Sequence, residues 1–149
     1  MILGIDTLGN IYYSLAQANS NSSMMELYFR ELVALLDREK PSWRNQMVIL
    51  VDGAAYHQSS EFLAVAAKLK LPYQIFGPHS YDAAPAELFF AHFKKVDINP
   101  RHIQAGRSHF RNVANLVRDR IDQMKRSDIL LYWHHCLEFT YRYLFYHRL

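Results

Sequence analysis

Several features that are common in secreted and membrane proteins are missing from this sequence. Its 149 residues contain one cysteine, Cys136, so no disulfide can form among them. No apolar stretch approaches the roughly eighteen residues that a membrane-spanning helix needs. The N-terminus lacks the charged region and long apolar region of a secretory signal. These absences predict an intracellular chain without a membrane span.

Glycine and proline are also scarce, with five of each, whereas half of the residues are hydrophobic. Long linkers, low-complexity tracts and internal repeats are absent from the sequence. A chain of this length suits one hydrophobic core, so we expect a single domain over residues 1–149. We interpret the cluster Tyr132-Trp133-His134-His135-Cys136 as packing rather than zinc binding, since no second cysteine completes a ligand set.

The hydrophobic periodicity predicts an α/β protein. The opening residues read as a hairpin whose two apolar runs are joined by Thr7-Leu8-Gly9-Asn10. The first long helix is expected from Met24 to Glu39, with its apolar face at Met24, Leu27, Tyr28, Leu32, Leu35 and Leu36. The remaining expected elements are a strand at Met47–Val51, a helix from Ser59 through Leu69, a strand at Tyr73–Phe76, a helix carrying Glu87, and two C-terminal helices over Phe110–Met124 and Ile129–Tyr146.

Two acidic residues stand in runs whose chemistry suits a metal ligand. Asp52 follows the apolar run Met47–Val51 and precedes Gly53. It should therefore lie at the tip of a buried strand where the backbone turns. Thirty-four residues lie between Asp52 and Glu87. Glu87 follows a turn-rich stretch with Pro78 and Pro85, which places it in the first turn of a helix.

At these residues the chain resembles the DDE transposases of the mariner superfamily, whose catalytic part is a DDE endonuclease domain. The family's second motif reads roughly aspartate-asparagine-alanine-x-x-histidine, and here it stands as Asp52-Gly53-Ala54-Ala55-Tyr56-His57. The third motif reads roughly proline-x-serine-x-aspartate-x-asparagine-proline-x-glutamate, and this chain has Pro78-His79-Ser80-Tyr81-Asp82-Ala83-Ala84-Pro85-Ala86-Glu87. The two departures, Gly53 and Ala84, both replace an asparagine. The resemblance covers residues 1–95, and residues 96–149 form a basic and aromatic C-terminal part.

The resemblance implies a ribonuclease H-like fold, with a mixed sheet flanked by helices. It also implies three carboxylates that hold two divalent metal ions, Mg²⁺ or Mn²⁺, for cleavage and transfer of DNA strands. Asp52 and Glu87 are the second and third of these carboxylates. The family's first aspartate lies on a central strand before the hairpin, so we expect that strand to be missing from this truncated chain and Asp6 to be a turn residue. Asp6 as a metal ligand is the alternative.

Each of these residues also has a purely structural interpretation. Asp52 could form the turn or cap a helix, and Glu87 could interact with the helix dipole. Asp6 could hydrogen-bond its own turn, and Asp82 could shape the loop. His57 could orient a catalytic group or contact DNA, or it could be a polar residue on the surface.

The C-terminal third carries an excess of positive charge. From Lys94 to Arg126 there are nine lysines and arginines against three aspartates. Such clustering suits phosphate binding, although a solvated helix face gives the same pattern. The DNA-contact candidates are Lys94, Lys95, Arg101, Arg107 and Arg111.

The last helix, Ile129–Tyr146, has aromatic residues on more than one face, which predicts burial on two sides. It either packs on the domain's own sheet or meets a partner chain. A partner chain is also one source for the missing strand.

Two functions remain open. The first is a metal-dependent DNA endonuclease and strand transferase, with Asp52 and Glu87 as ligands and the third carboxylate supplied by Asp6 or another polypeptide. The second is an inactive, domesticated fragment that serves as a structural, DNA-binding or partner-binding module of a larger assembly. The family works on nuclear or bacterial DNA, so the resemblance implies a nuclear location for this chain, while a repurposed fragment could reside in another compartment.

Overall fold

The computed structural model describes residues 1–16, 21–77, 84–95 and 107–146, with the side chains of 107–109 and 139–146 outside the description. The described residues group into two compact units. The first comprises those of Met1–Ile2 and Ala18–Ser80, and the second those of Leu3–Gln17 and Tyr81–Leu149. The expectation of one domain over residues 1–149 stays a prediction.

The first unit alternates helices with short strands. Its elements are α1 (Ser22–Glu39), α2 (Trp43–Gln46), β3 (Ile49–Val51), a 3₁₀ helix (Ala55–Gln58), α3 (Ser60–Leu69) and β4 (Tyr73–Ile75). Strands β3 and β4 pair in parallel, with Ile49 opposite Tyr73 and Val51 opposite Ile75. A parallel pair needs a crossover connection; here the 3₁₀ helix and α3 provide it.

Helix α1 begins at Ser22, two residues before the predicted Met24, and ends at the predicted Glu39. Asn21 has an extended backbone, and its side chain accepts a hydrogen bond from the Met24 amide at 3.0 Å, which is the geometry of an N-cap. The buried face, however, differs from the predicted one. It consists of Met25, Tyr28, Phe29, Val33 and Leu36, while Leu27 is exposed.

The reason for this rotation is the aromatic packing between α1 and α3. The rings of Phe29 and Phe62 lie 5.6 Å apart, and Phe62 also meets the Tyr73 ring of β4 edge-on at 5.2 Å. These rings bury more apolar surface than the leucines on the predicted face. Phe62 is therefore the centre of the first unit's core.

The strand predicted at Met47–Val51 is shorter than expected. Met47 and Val48 lie outside β3, because the Met47 amide donates to the Trp43 carbonyl and so ends α2. The β3–β4 ladder starts at Ile49, whose amide donates to the Pro72 carbonyl at 2.7 Å. Helix α2 itself was not predicted. Its Trp43 is buried and donates its indole N–H to Asp37 at 2.7 Å.

The second unit contains the predicted hairpin, formed by β1 (Ile2–Ile5) and β2 (Ile11–Ser14), and three helices. The helices are α4 (Pro85–Phe93), α5 (Arg107–Asp122) and α6 (Arg126–Tyr146). Helix α6 packs against α4, where Phe89 and Phe93 stack with ring centroids 5.5 Å apart. The hairpin turn contacts α6 through Gly9, whose φ of +80° requires glycine or strains any other residue.

Burial of the last helix on two sides, one of them against a partner chain, stays a prediction, because this single chain buries only one side over the part whose side chains are described. Ile129 and Cys136 are buried, but Leu131 and Leu137 are each 64% exposed, with His134 and His135 also on the surface. One face packs on the second unit and the other faces solvent. The aromatic residues from Phe139 onward lie outside the described side chains.

Candidate metal-binding carboxylates

Asp52 stands at the C-terminal end of β3, as the sequence predicts. Val51 before it is buried, and the backbone after it turns into the 3₁₀ helix. The neighbouring position has room for a Cβ, because a Cβ added to Gly53 would lie 3.5 Å from the Phe76 carbonyl, an ordinary contact. Gly53 is therefore not required by the backbone.

The two carboxylate oxygens of Asp52 have different surroundings. Oδ1 accepts a hydrogen bond from the Ala54 amide at 3.0 Å and lies 2.7 Å from Nδ1 of His57. Among the described residues, no hydrogen bond reaches Oδ2, and the side chain is 50% exposed. Asp52 thus forms the turn, as one interpretation of the sequence held, and its side chain is still half exposed.

His57 is buried, with only 5% of its surface exposed, so its interpretation as a surface residue is wrong. Its ring lies 4.4 Å from the Tyr56 ring and 5.3 Å from the Phe62 ring. Nδ1 also lies 3.1 Å from the Asp52 carbonyl oxygen. Among the described residues, the buried Nε2 has no hydrogen-bond partner.

The hydrogen bond from His57 lowers the pKa of Asp52 below its usual value, and the Ala54 amide contributes in the same direction against the opposing effect of burial. The pKa of Tyr56 is raised, first by burial and then by the nearby charge of Asp52. Asp52 is therefore ionised at neutral pH, which is the form that binds a metal ion.

Glu87 lies in the first turn of α4, as predicted, and its side chain is exposed. Ala84 is the N-cap residue of this helix and makes no side-chain hydrogen bond to it. Ala84, where the family motif has an asparagine, is therefore the residue at which α4 starts. Within the described residues, the Glu87 carboxylate makes no hydrogen bond or ion pair. Asp82 and the rest of 78–83 lie outside the described residues.

Asp6 has the turn role that the sequence predicts. Oδ1 accepts from the amides of Leu8 and Asn10 at 2.9 and 2.8 Å, and Oδ2 accepts from the Asn10 side chain at 2.7 Å and the Tyr12 hydroxyl at 3.1 Å. A carboxylate offers about four lone-pair sites, and these four bonds occupy them. A metal ion at Asp6 would have to displace hydrogen bonds that hold the hairpin.

No protein-family model and no curated protein matches the chain. Solved structures do. The chain is similar to the Mos1 transposase catalytic domain with Raltegravir and Mg (TM-score 0.68, 16% identity) and with Raltegravir and Mn (TM-score 0.70, 17% identity). It is also similar to the Mos1 mariner transposase catalytic domain in a further crystal structure (TM-score 0.68, 16% identity).

Each comparison covers 91% of this chain and about two thirds (66–67%) of the solved one. This chain has the fold of a mariner transposase catalytic domain. The two motifs that suggested the mariner resemblance thus lie in a chain of the corresponding fold, with Asp52 after a strand and Glu87 in a first helical turn.

The structure brings Asp52 and His57 together within the first unit, whereas Glu87 and Asp6 belong to the second. Within the described ranges, no three histidine, cysteine, aspartate or glutamate side chains are grouped so that they could hold a metal ion. No helix among the described residues is long and apolar enough to cross a membrane.

The basic candidates lie on the second unit. Lys94 and Lys95 are exposed just after α4, and Arg111 is exposed on α5. Arg101 lies outside the described residues, as does the side chain of Arg107. The site prediction omitted Arg118, which is exposed seven residues after Arg111 and so lies on the same face of α5. That spacing was the available signal.

Proposed function

We propose that this chain is a transposase-type endonuclease domain in which Asp52 and Glu87 bind Mg²⁺ or Mn²⁺ for cleavage and strand transfer of DNA. The observation that carries the proposal is the arrangement at Asp52, on a chain with the mariner catalytic fold. One oxygen is held by Ala54 and His57, and the other has no hydrogen bond among the described residues, on a side chain that is 50% exposed. We also propose that the fold's core is ribonuclease H-like.

The donors fit the proposed ions. Mg²⁺ and Mn²⁺ are hard cations that prefer carboxylate and water oxygens, and both Asp52 and Glu87 offer exposed carboxylate oxygens. When bound, such ions stabilise the attacking and leaving oxygens of an in-line phosphodiester displacement. Asp52 would contribute a fixed ligand, and Glu87 one that is free to adjust.

Contact with DNA is proposed for the exposed cations of the second unit. Lys94, Lys95 and Arg111 are exposed and can approach phosphates, and Arg101 and Arg107 remain candidates from the sequence. Contacts of this kind position DNA without reading its sequence, so we expect weak sequence preference. Nuclear location follows from the same resemblance and is tested by imaging the tagged chain in its own cell.

The second candidate function is an inactive structural or binding module, and the observation that favours it is Asp6. The four hydrogen bonds of the hairpin use the lone-pair sites of this carboxylate, so Asp6 does not offer a free oxygen as the third ligand of the family's set. In this alternative the chain binds a partner, which supplies a strand, a carboxylate or neither. Asp52 and Glu87 are then present but take part in no reaction.

The test is cleavage of labelled duplex DNA by the purified full chain with Mg²⁺ or Mn²⁺. We expect Asp52→Asn and Glu87→Gln to reduce cleavage at least a hundredfold, because each removes a charged ligand. Glu31→Gln, an exposed carboxylate on α1, is the matched control and should have no effect. Asp6→Asn distinguishes a turn residue from a metal ligand. If Asp6 only holds the turn, the variant should lose thermal stability, and any loss of activity should be in proportion to that loss.

If the wild-type chain does not cleave DNA alone, the same assay is repeated on the native complex isolated from its own cell. Cleavage that depends on Asp52 and Glu87 supports the enzyme. No cleavage by a stoichiometric complex, with the same composition for wild type and Asp52→Asn, supports the module.

DNA contact has its own measurement, the salt dependence of binding. Each neutralised phosphate contributes about −0.9 to the slope of log K against log salt for duplex DNA. We expect the combined change of Lys94, Lys95 and Arg111 to alanine to make the slope shallower by about 2 to 3. Changing the exposed Lys68 and Lys70 of the first unit to alanine should leave it unchanged.

A further inference from the structure

We propose that His57 is a positioning residue, which carries its proton on Nδ1, holds Oδ1 of Asp52 and thereby leaves Oδ2 alone to ligate a divalent cation. This inference rests on the proposed function, since it gives the buried histidine a task in metal binding. It concerns a residue that would not itself touch the metal ion or the DNA.

The position of the proton follows from the two atoms that face Nδ1. The Asp52 carboxylate oxygen lies at 2.7 Å and the Asp52 carbonyl oxygen at 3.1 Å. Both are acceptors, so a hydrogen bond to either requires a proton on Nδ1. Nε2 is buried and has no hydrogen-bond partner among the described residues. A proton there would be a buried donor without an acceptor, so Nε2 carries the lone pair.

Aromatic packing fixes the orientation of the ring. Tyr56 meets it edge-on with centroids 4.4 Å apart, and Phe62 lies on another side at 5.3 Å. The backbone at this point is also tied down, because the Ser59 hydroxyl donates to the Tyr56 carbonyl at 3.0 Å and its oxygen accepts from the Phe62 amide at 3.2 Å. The imidazole therefore points its Nδ1 at the end of β3.

The result is a carboxylate with one oxygen already used. Oδ1 accepts both from His57 and from the Ala54 amide at 3.0 Å. These two donors leave Oδ2 as the oxygen that a cation can approach, so Asp52 should bind through one oxygen. Outer partners of this kind orient metal ligands, and their loss typically lowers metal affinity 10- to 100-fold.

The experiment measures Mn²⁺ binding to the full chain by electron paramagnetic resonance of the free ion. Asp52→Asn should abolish the Mn²⁺ binding that we assign to Asp52. His57→Leu keeps an apolar side chain but removes the donor, and we expect its dissociation constant for Mn²⁺ to rise 10- to 100-fold. His57→Asn places an amide nitrogen where Nδ1 stands, so it should stay within about threefold of wild type. His134→Asn, at an exposed histidine of α6, is the matched control and should change nothing.

A second measurement needs no metal ion. Correlation of the imidazole nitrogens with the ring protons by NMR identifies the tautomer of His57, for which we expect Nδ1–H with an unprotonated Nε2. Asp52→Ala should shift the Nδ1 signal, whereas Glu87→Ala should not.

The outcomes separate this inference from the proposed function. If Asp52→Asn weakens Mn²⁺ binding but His57→Leu, shown to be folded by circular dichroism, does not, the positioning role is overturned while the metal site stands. An Nε2–H tautomer overturns it as well, even if the leucine variant does not fold. If Asp52→Asn leaves Mn²⁺ binding unchanged, the proposed function fails, and the positioning role fails with it although the tautomer is as expected.

Discussion

Asp52 and Glu87 belong to different units, and the two units hold these carboxylates differently. In the first unit, Asp52 accepts from a buried histidine that is packed between Tyr56 and Phe62. In the second, Glu87 extends from the first turn of a helix whose N-cap, Ala84, makes no side-chain hydrogen bond to it. A ligand that is already oriented loses little conformational freedom on binding, whereas a free glutamate side chain loses more. Among the described residues, the Asp52 side chain is therefore held by its surroundings, whereas the Glu87 side chain is not.

The two units also differ in which end of a helix is unfavourable for stability. Helix α3 of the first unit is capped at its start by Ser59 but ends at Lys70 in the left-handed conformation, with φ 52° and ψ 48°. Helix α4 of the second unit has a favourable proline in its first turn but an alanine at the cap. These two positions allow each unit to be stabilised independently.

The largest effect should come from the aromatic support of His57. Phe62→Ala removes the ring that contacts Phe29, His57 and Tyr73, and we expect it to lower the free energy of unfolding by about 3–5 kcal/mol. Chemical denaturation measures the loss. Phe89→Ala, at a fully buried ring of the second unit, should cost a similar amount yet leave the NMR signals of the His57 ring unchanged. An equal disturbance of His57 by both variants would contradict the comparison.

A smaller effect is expected at the start of α4. Ala84→Ser supplies an N-cap and, with Glu87 three residues later, a capping box, which should stabilise the chain by about 1 kcal/mol. Thermal unfolding and hydrogen exchange of the α4 amides measure the gain. Ala91→Ser, on the exposed side of the same helix, is the control and should destabilise slightly. Because a capping box also restrains Glu87, the same variant tests whether a free glutamate matters for Mn²⁺ binding.

The end of α3 offers a comparable change in the first unit. Glycine adopts the left-handed conformation without strain, so Lys70→Gly should stabilise by up to about 1 kcal/mol. Lys68→Gly, inside the same helix, should instead destabilise by about 1 kcal/mol. Opposite signs from two exposed lysines two residues apart would locate the strain at Lys70, and equal signs would refute it.

The smallest effect is the pH dependence from Asp52. Its folded-state pKa is lowered from the usual 3.8, first by the hydrogen bond from His57. The stabilisation is therefore complete above the unfolded-state pKa and is lost as the pH falls through the folded-state pKa, in the range below about pH 4. A carboxyl ¹³C titration should give a midpoint below 3.8 in the wild type. In His57→Leu the midpoint should rise, and an unchanged midpoint would show that the hydrogen bond does not set it.

Local sequence signals predicted the elements that carry the candidate residues. The apolar run before Asp52 and the proline before Glu87 are contiguous patterns, and both residues lie where those patterns predicted. The hairpin turn at Asp6 is equally local, since four hydrogen bonds to its carboxylate come from within six residues. The ends of α1 and α3 agree with the predicted Met24–Glu39 and Ser59–Leu69 to within two positions.

What the sequence did not predict depends on packing between distant segments. The burial of His57 comes from Phe62 and the rotation of α1 from the same ring, and neither follows from periodicity along one element. Helix α2 has only four residues and is held by the buried Trp43 and by Arg44, which donates to the Leu69 carbonyl 25 residues away. Its stability is therefore tertiary rather than local.

The contact between the hairpin turn and α6 has a consequence for the order of folding. Arg126 donates to the Leu8 carbonyl, a bond between residues 118 positions apart, and its side chain also packs against Gly9. The second unit thus draws on both ends of the described chain, while nearly all of the first is a continuous stretch between them. During synthesis the middle of the chain can complete its contacts first. The contact between the hairpin turn and α6 can form only after α6 has left the ribosome. Closure of that long loop should be the slow step.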